Sequence, residues 1–155
     1  MPEAHARFDA ISRTYLYRIS RLKDPFNVDF AMYFPHDLDI NVMNLAAETL
    51  KEYTDFTSFS KLHGNAKTNH CKIFAAKWEI KQHELHFTIT ADRFLRNMVR
   101  AIVGTLIDVG FYKISIEDMK LIIGNKNRAE AGNSVKALGL HLINIEYPDK
   151  IFIIK

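Results

Sequence analysis

The sequence predicts an α+β domain of the ferredoxin-like βαββαβ type, an antiparallel sheet with its helices packed on one face. Segments of period-two alternation and segments of three- and four-residue apolar spacing follow one another as strand, helix, two strands, helix pair and strand. Only Gln82-His83 separates the two middle strands, which is short enough for an antiparallel hairpin. The 155 residues suffice for one domain with a substantial core.

The first strand lies within residues 7–22. Arg13, Tyr15, Tyr17 and Ile19 alternate onto one of its faces, and tyrosine favours strands. A guanidinium beside two phenol rings could form a platform that binds a base and a phosphate. The alternative is an ordinary packed sheet face with an exposed arginine, and the strand pattern alone leaves both interpretations open.

Caps and turns set the other boundaries. Asp39 or Asn41 caps a helix over residues 41–53, and Ser115 begins a helix over residues 116–124. The remaining predicted elements are a short apolar segment at 30–34, a polar loop at 61–69, the hairpin strands at 71–81 and 84–91, and a last strand at 140–147.

The segment from Asp92 to Gly110 predicts one amphipathic helix that ends at the glycine. Arg100 falls opposite its apolar face, on the same side as Gly104. Glycine inside a helix costs roughly 1 kcal/mol relative to alanine, and close approach of another group to the backbone would explain it. The alternative is a solvated basic face with an incidental glycine. The apolar face comprises Phe94, Leu95, Met98, Ile102, Leu106 and Val109, and the polar face also carries Arg93, Arg96 and Asn97.

Composition excludes several classes of protein. With 48% hydrophobic and 25% charged residues the chain is not a disordered segment, and a net charge of +3 permits a polyanionic partner without requiring one. The single cysteine, Cys71, suits a reducing compartment and excludes an internal disulfide. No apolar run is long enough for a membrane helix, and no cysteine or histidine spacing indicates a metal site.

Four segments resemble, in the same order, the tRNA pseudouridine synthase A family. The third is the most specific, because helix amphipathicity does not demand an arginine within MVRxIVG. The segments are HARFDAISRTYLYRI at 5–19, DFTSF at 55–59, FLRNMVRAIVGTLIDVG at 94–110 and RAEAGNSVKALGLHLINIEYP at 128–148.

The resemblance implies an activity. These enzymes isomerise uridine to pseudouridine at positions 38, 39 and 40 of the tRNA anticodon stem-loop, with an aspartate nucleophile and no cofactor. A homodimer in the cytoplasm, with tRNA as partner, is the corresponding expectation. A non-catalytic RNA-binding or dimerisation module with the same ferredoxin-like fold is the alternative.

The resemblance also implies roles for particular residues. Tyr15 would stack on the target uracil and could act in proton removal, Arg100 would pair with the catalytic aspartate, and Leu140 would line the base pocket. An extruded base needs such an apolar or aromatic sandwich, and a carboxylate that must stay ionised needs a fixed cation. The candidates for phosphate contacts are Arg7, Arg13, Lys61, Lys67 and Arg96.

The chain departs from the family pattern in one respect that bears on the expected activity. The family's nucleophile lies in an N-terminal half, within a motif of the form RTDxGVH, and this chain contains no such motif. We therefore expect residues 1–155 to be a single C-terminal domain that lacks the catalytic-aspartate half. The isolated chain is accordingly predicted to be inactive.

Overall fold

A computed structural model describes residues 4–61 and 68–151. Its helices and strands, numbered in chain order, alternate as the sequence predicts. They are β1 (Ser12–Ser20), β2 (Met32–Tyr33), α1 (Ile40–Thr49), β3 (Ile73–Lys81), β4 (Glu84–Ala91), α2 (Met98–Gly110), α3 (Ile116–Asn125) and β5 (Leu140–Glu146).

The sheet has the strand order of a ferredoxin-like domain. β1 is central: it pairs antiparallel with β4 on one side and with β5 on the other, and β4 pairs antiparallel with β3. The short β2 lies parallel to the end of β1, on the β5 side. The order β5-β1-β4-β3 confirms the predicted α+β fold.

The core lies between the helices and one face of the sheet. Tyr17 and Ile19 of β1 are fully buried there, as are Phe87 and Ile89 of β4. Trp78 of β3 is directly opposite Phe87, with 4.9 Å between their ring centroids. The alternation of apolar residues along each strand therefore selects the face that the helices cover.

Capping residues fix the starts of two helices. The Asp39 side chain accepts hydrogen bonds from the backbone N–H groups of Asn41 and Val42, so Asp39 is the cap of α1. Ser115 and Asp118 form a reciprocal capping box at the start of α3. Both caps confirm the sequence prediction.

The predicted start of the central helix is wrong. α2 begins at Met98 and not at Asp92, because Asn97 has a left-handed backbone with φ of 71° that no continuous helix accommodates. The preceding loop buries Leu95 and packs Phe94 against Tyr15, so its apolar residues serve loop packing and not a helix face.

The alternative interpretation of this helix, a solvated basic face, is wrong. Arg93 and Arg96 belong to the loop before α2. Within α2 every residue is buried except Arg100 and Asp108, which are half-buried. α2 is a core helix with one partly open position near its start, where Arg100 stands. In the parts of the chain that the structure describes, we find no helix with the length and apolarity required to span a bilayer.

Candidate active site

The register of β1 and β5 gathers the predicted base-binding residues. Tyr17 lies opposite Leu140, and Tyr15 lies opposite Leu142. Residues directly opposite one another in an antiparallel pair project to the same face of the sheet. Tyr15 and Leu140 are half-buried and Leu142 is 48% exposed, so this corner of the sheet is apolar and open to solvent.

Tyr15 is held by an aromatic neighbour. Its ring makes an edge-on contact with Phe94 at 5.2 Å between centroids, with 86° between the ring planes. Such a perpendicular arrangement is favourable for aromatic quadrupoles and restrains the tyrosine ring. Phe94 is not among the residues that the sequence predicts for the site, because its spacing suggests only the apolar face of a helix.

Tyr17 does not form the aromatic platform considered from the strand pattern. Its side chain is fully buried and its hydroxyl donates a hydrogen bond to the Lys136 carbonyl at 2.6 Å. Burial raises the pKa of Tyr17 well above its ordinary value, and the nearby positive charge of Arg100 opposes that rise. Tyr17 is therefore a neutral core phenol that ties the segment before β5 to the sheet.

Arg100 lies near Tyr17, and its guanidinium is partly fixed by hydrogen bonding. Its Nε donates a hydrogen bond to the Val135 carbonyl at 2.6 Å, while its own carbonyl accepts one from the Val135 N–H at 3.2 Å. Within residues 4–61 and 68–151, no carboxylate pairs with Arg100 and no hydrogen bond engages its Nη nitrogens. Two terminal guanidinium nitrogens match the geometry of a carboxylate.

The glycine near Arg100 confirms the predicted close approach. A Cβ atom on Gly104 would lie 1.9 Å from the Asn133 carbonyl oxygen, so no other residue fits there without displacing backbone. The approach is mutual: a Cβ on Gly132 would come within 2.8 Å of the Thr105 backbone nitrogen. Residues 128–136, hereafter the strap, therefore lie directly on α2 one turn beyond Arg100.

The predicted phosphate contacts have different environments. The Arg13 guanidinium donates to the carbonyls of Ala10 at 2.9 Å, of Asp92 at 2.6 Å and of Arg7, so its contacts are structural. Arg7 is exposed. The exposed Lys61 and Arg96 are neighbours, because the Lys61 N–H donates to the Arg96 carbonyl at 3.0 Å. Lys67 lies outside the described residues.

A cavity of about 510 Å³ adjoins the site at the end of β1. Lys136 lines it, and the same residue's carbonyl accepts the Tyr17 hydrogen bond. Lys23 also lines the cavity, with its Nζ 5.8 Å from the Tyr33 ring centroid. Two lysines and a tyrosine are thus among the residues that line the cavity. In the described ranges, no cluster of three or more His, Cys, Asp or Glu side chains could hold a metal ion.

Comparison with known proteins assigns the family. A family model described as tRNA pseudouridine synthase matches residues 46–148. The chain belongs to the tRNA pseudouridine synthase family. Curated relatives named tRNA pseudouridine synthase A include a protein of Bacteroides fragilis, 54% identical over 152 residues, which are 97% of this chain and 60% of that protein.

Other relatives named tRNA pseudouridine synthase A, at higher and lower identity, also match most of the chain. The tRNA pseudouridine synthase A of Caldicellulosiruptor bescii is 35% identical over 144 residues, covering 92% of this chain and 59% of that protein. The protein of Parabacteroides distasonis is 51% identical over 152 residues, with 98% and 60% covered. The chain thus spans about 60% of the length of these curated relatives.

Proposed function

We propose that this chain forms one wall of the active site of a tRNA pseudouridine synthase that converts uridine to pseudouridine at positions 38–40 of the anticodon stem-loop. The supporting observation is Arg100, whose Nε is engaged by Val135 while its terminal nitrogens have no partner among the described residues. Its charge acts on Tyr17, which lies opposite Leu140 in the sheet and two residues along β1 from Tyr15.

The proposed reaction is an isomerisation with no change in composition. An aspartate oxygen bonds to C1′ of the ribose as the N1–C1′ bond breaks, and the released uracil rotates. A C5–C1′ bond then forms as the aspartate–C1′ bond breaks, which regenerates the carboxylate. The proton on C5 then leaves, and N1 gains one. In this proposal Arg100 is the cation that keeps the aspartate ionised. Tyr15 and Leu140 are the side chains that pack against the extruded base. Tyr15 is also the proposed group for proton removal.

The aspartate in this proposal comes from outside the described residues. Arg100 has no carboxylate partner within residues 4–61 and 68–151. We therefore propose that residues 1–155 act as a single C-terminal domain beside an N-terminal half that carries the nucleophile. We also propose that the protein is a cytoplasmic homodimer, as the family resemblance implies.

Exposed cations near the site support a tRNA partner. Lys23 and Lys136 border the cavity at the end of β1, and Lys61 and Arg96 lie side by side at the loop that leads into α2. Arg7 remains a candidate contact, whereas the three carbonyl contacts of Arg13 give it a structural role in any case. Lysine and arginine at such positions contact phosphates and fix the register of a nucleic acid.

The test compares two proteins in an assay for pseudouridine in a tRNA anticodon stem-loop. The first is the 155-residue chain alone, which we expect to be inactive because it lacks the nucleophile. The second is a chimera in which this chain replaces the matching 152-residue region of the Bacteroides fragilis relative. The chimera is expected to form pseudouridine. Turnover by the isolated chain would contradict the two-part site, and a folded but inactive chimera would contradict the proposed activity.

The alternative, a non-catalytic RNA-binding or dimerisation module, rests on the Tyr15 and Tyr17 face. Burial of Tyr17 removes half of that face, which weakens this alternative. Filter-binding titrations of the isolated chain with tRNA at two salt concentrations separate the two. Tight binding that weakens steeply with salt supports an autonomous module, and weak binding supports half of a cleft.

A further inference from the structure

We infer that the strap, residues 128–136, positions Arg100 so that its guanidinium receives a carboxylate end-on, through Nη1 and Nη2. The identity of that carboxylate rests on the proposed function. The position of the guanidinium does not, because it follows from contacts within the described chain.

The strap contacts Arg100 at two atoms. Val135 accepts from Nε at 2.6 Å and donates its N–H to the Arg100 carbonyl at 3.2 Å. Arg100 of α2 and Val135 of the strap are therefore joined by two hydrogen bonds, one from the Arg100 side chain and one to the Arg100 backbone. The Nε edge of the guanidinium is thereby occupied, and only the end formed by the two Nη nitrogens remains for an incoming carboxylate.

The centre of the strap, at Gly132 and Asn133, is fixed by backbone packing. The Gly132 N–H donates to Thr105 Oγ1 at 2.9 Å, and Thr105 Oγ1 in turn donates to the Ala101 carbonyl at 2.9 Å. The contact of Gly104 with the Asn133 carbonyl sets the separation of strap and helix. A side chain at either glycine would lift Val135 away from Arg100.

The residue before Val135, Ser134, ties the strap to α2 through its hydroxyl. Ser134 Oγ accepts from Asn97 Nδ2 at 2.5 Å and from Arg128 Nη2 at 2.9 Å. Asn97 is the residue at the N-cap position of α2, yet its side chain makes no cap hydrogen bond and its φ is 71°. Asparagine tolerates this left-handed conformation, which directs its amide to the strap. Ser134 thus joins the start of α2 to the segment that holds Arg100.

The end of the strap is fixed from the sheet. Tyr17 donates its hydroxyl proton to the Lys136 carbonyl at 2.6 Å, next to the Val135 carbonyl that Arg100 uses. A Cβ on Gly139 would lie 2.6 Å from the Arg18 carbonyl, so this turn also packs directly on β1. The three anchors fix the residues on both sides of Val135, so the guanidinium is held by contacts within the described chain alone.

The test measures hydrogen exchange of the Arg100 Nε–H by ¹H–¹⁵N NMR in the 155-residue chain. The Ser134→Ala variant removes the joining hydroxyl, and we expect exchange of this proton to become about tenfold faster, with a shifted resonance. Ser134→Thr restores a hydroxyl and is expected to restore slow exchange. Ser115→Ala is the matched control, because it removes a capping hydroxyl of α3 away from the strap.

If Ser134→Ala does not fold, Arg128→Met removes the second partner of the same hydroxyl and is expected to give the same acceleration. Unchanged exchange in the folded Ser134→Ala or Arg128→Met variant overturns the inference. Equal acceleration in Ser115→Ala also overturns it, because general loosening would then be the cause. No RNA and no turnover enters the measurement, so its outcome is separate from that of the chimera assay.

Discussion

Arg100 uses only part of its hydrogen-bonding capacity within the described chain. Nε is bound to the Val135 carbonyl, and the terminal nitrogens have no partner among residues 4–61 and 68–151. A lysine has one ammonium group and could not serve both directions at fixed geometry, since only the guanidinium presents separate edges. The residue type therefore follows from the local structure as well as from the chemistry proposed for it.

Tyr15 has two proposed roles, which one substitution separates. Tyr15→Phe keeps the ring and its edge contact with Phe94 but removes the hydroxyl. In the chimera we expect kcat to fall by about 10²- to 10⁴-fold, the range for a lost acid–base group, with KM unchanged. Tyr15→Leu, which also removes the ring, should raise KM in addition. Full activity of Tyr15→Phe would exclude the hydroxyl from proton removal.

Glu84 stabilises the opposite face of the sheet in a pH-dependent way. Arg18 donates to both carboxylate oxygens, at 2.7 and 2.8 Å, and His86 contacts one of them. The Arg18 hydrogen bonds, with a smaller contribution from His86, lower the pKa of Glu84 below its ordinary 4.5. Because the folded pKa is depressed, the stabilisation is complete above the ordinary value and is lost as pH falls through the folded one.

We expect Glu84→Gln to reduce the free energy of unfolding at pH 7 by about 1–2 kcal/mol, allowing for partial exposure of the pair. The difference from the parent chain should shrink steadily below pH 4.5. Glu117→Gln, which removes an exposed pair with Lys120, is the control and should change stability by less than about 0.5 kcal/mol. Urea denaturation at several pH values measures all three proteins; a difference independent of pH would exclude the ionised carboxylate as its source.

The contact between α2 and the strap is the feature that most distinguishes this element from an ordinary core helix. Two glycines, one on each partner, let the backbones touch, and the carbonyl of Asn133 occupies the space of a Gly104 side chain. Close backbone contact brings Val135 within hydrogen-bonding distance of Arg100. Helix packing and the position of the site residue are therefore one structural feature.

Two glycine substitutions in helices test this contact with opposite expected signs. Gly104→Ala places a Cβ 1.9 Å from the Asn133 oxygen and should destabilise the chain by about 1–3 kcal/mol. Gly124→Ala in α3 meets nothing within 4 Å and should stabilise it by about 0.5–1 kcal/mol through helix propensity. Thermal unfolding measures both. A neutral or stabilising Gly104→Ala would show that the strap does not press on α2.

Local sequence patterns predicted most elements but not the start of α2. Strand alternation and the caps at Asp39 and Ser115 depend on residues close in sequence, so they are visible without a structure. Phe94 and Leu95 satisfy a helical spacing equally well when they pack from a loop. Asn97, in its left-handed turn, donates its side-chain amide to Ser134, which is distant in sequence, and no local pattern encodes that contact.

At the scale of the molecule, the order of elements along the chain was enough to predict the sheet topology. Few arrangements of a βαββαβ chain allow its elements to be joined by short connections. The site was predicted differently. Arg100, Tyr15 and Leu140 came from a resemblance of motifs, and their assigned roles remain predictions. The strap bond to Arg100 and the burial of Tyr17 are long-range contacts that only the folded chain reveals.

The whole proposal depends on a cation in one domain that serves a carboxylate in another. Arg100→Met removes that cation while keeping an unbranched side chain, so the fold should persist with a loss of about 1 kcal/mol for the missing hydrogen bond. Arg93→Met is the matched control: it removes an arginine of the loop before α2, whose side chain donates a 3.3 Å bond to Thr68.

The decisive measurement is the single-turnover rate of pseudouridine formation by the chimera at saturating tRNA. Arg100→Met is expected to lower that rate by at least about 10²-fold, the range for loss of one preorganised electrostatic partner, with unchanged circular dichroism. Arg93→Met should retain the rate of the parent. Near-parental turnover by a folded Arg100→Met chimera would contradict the role assigned to Arg100.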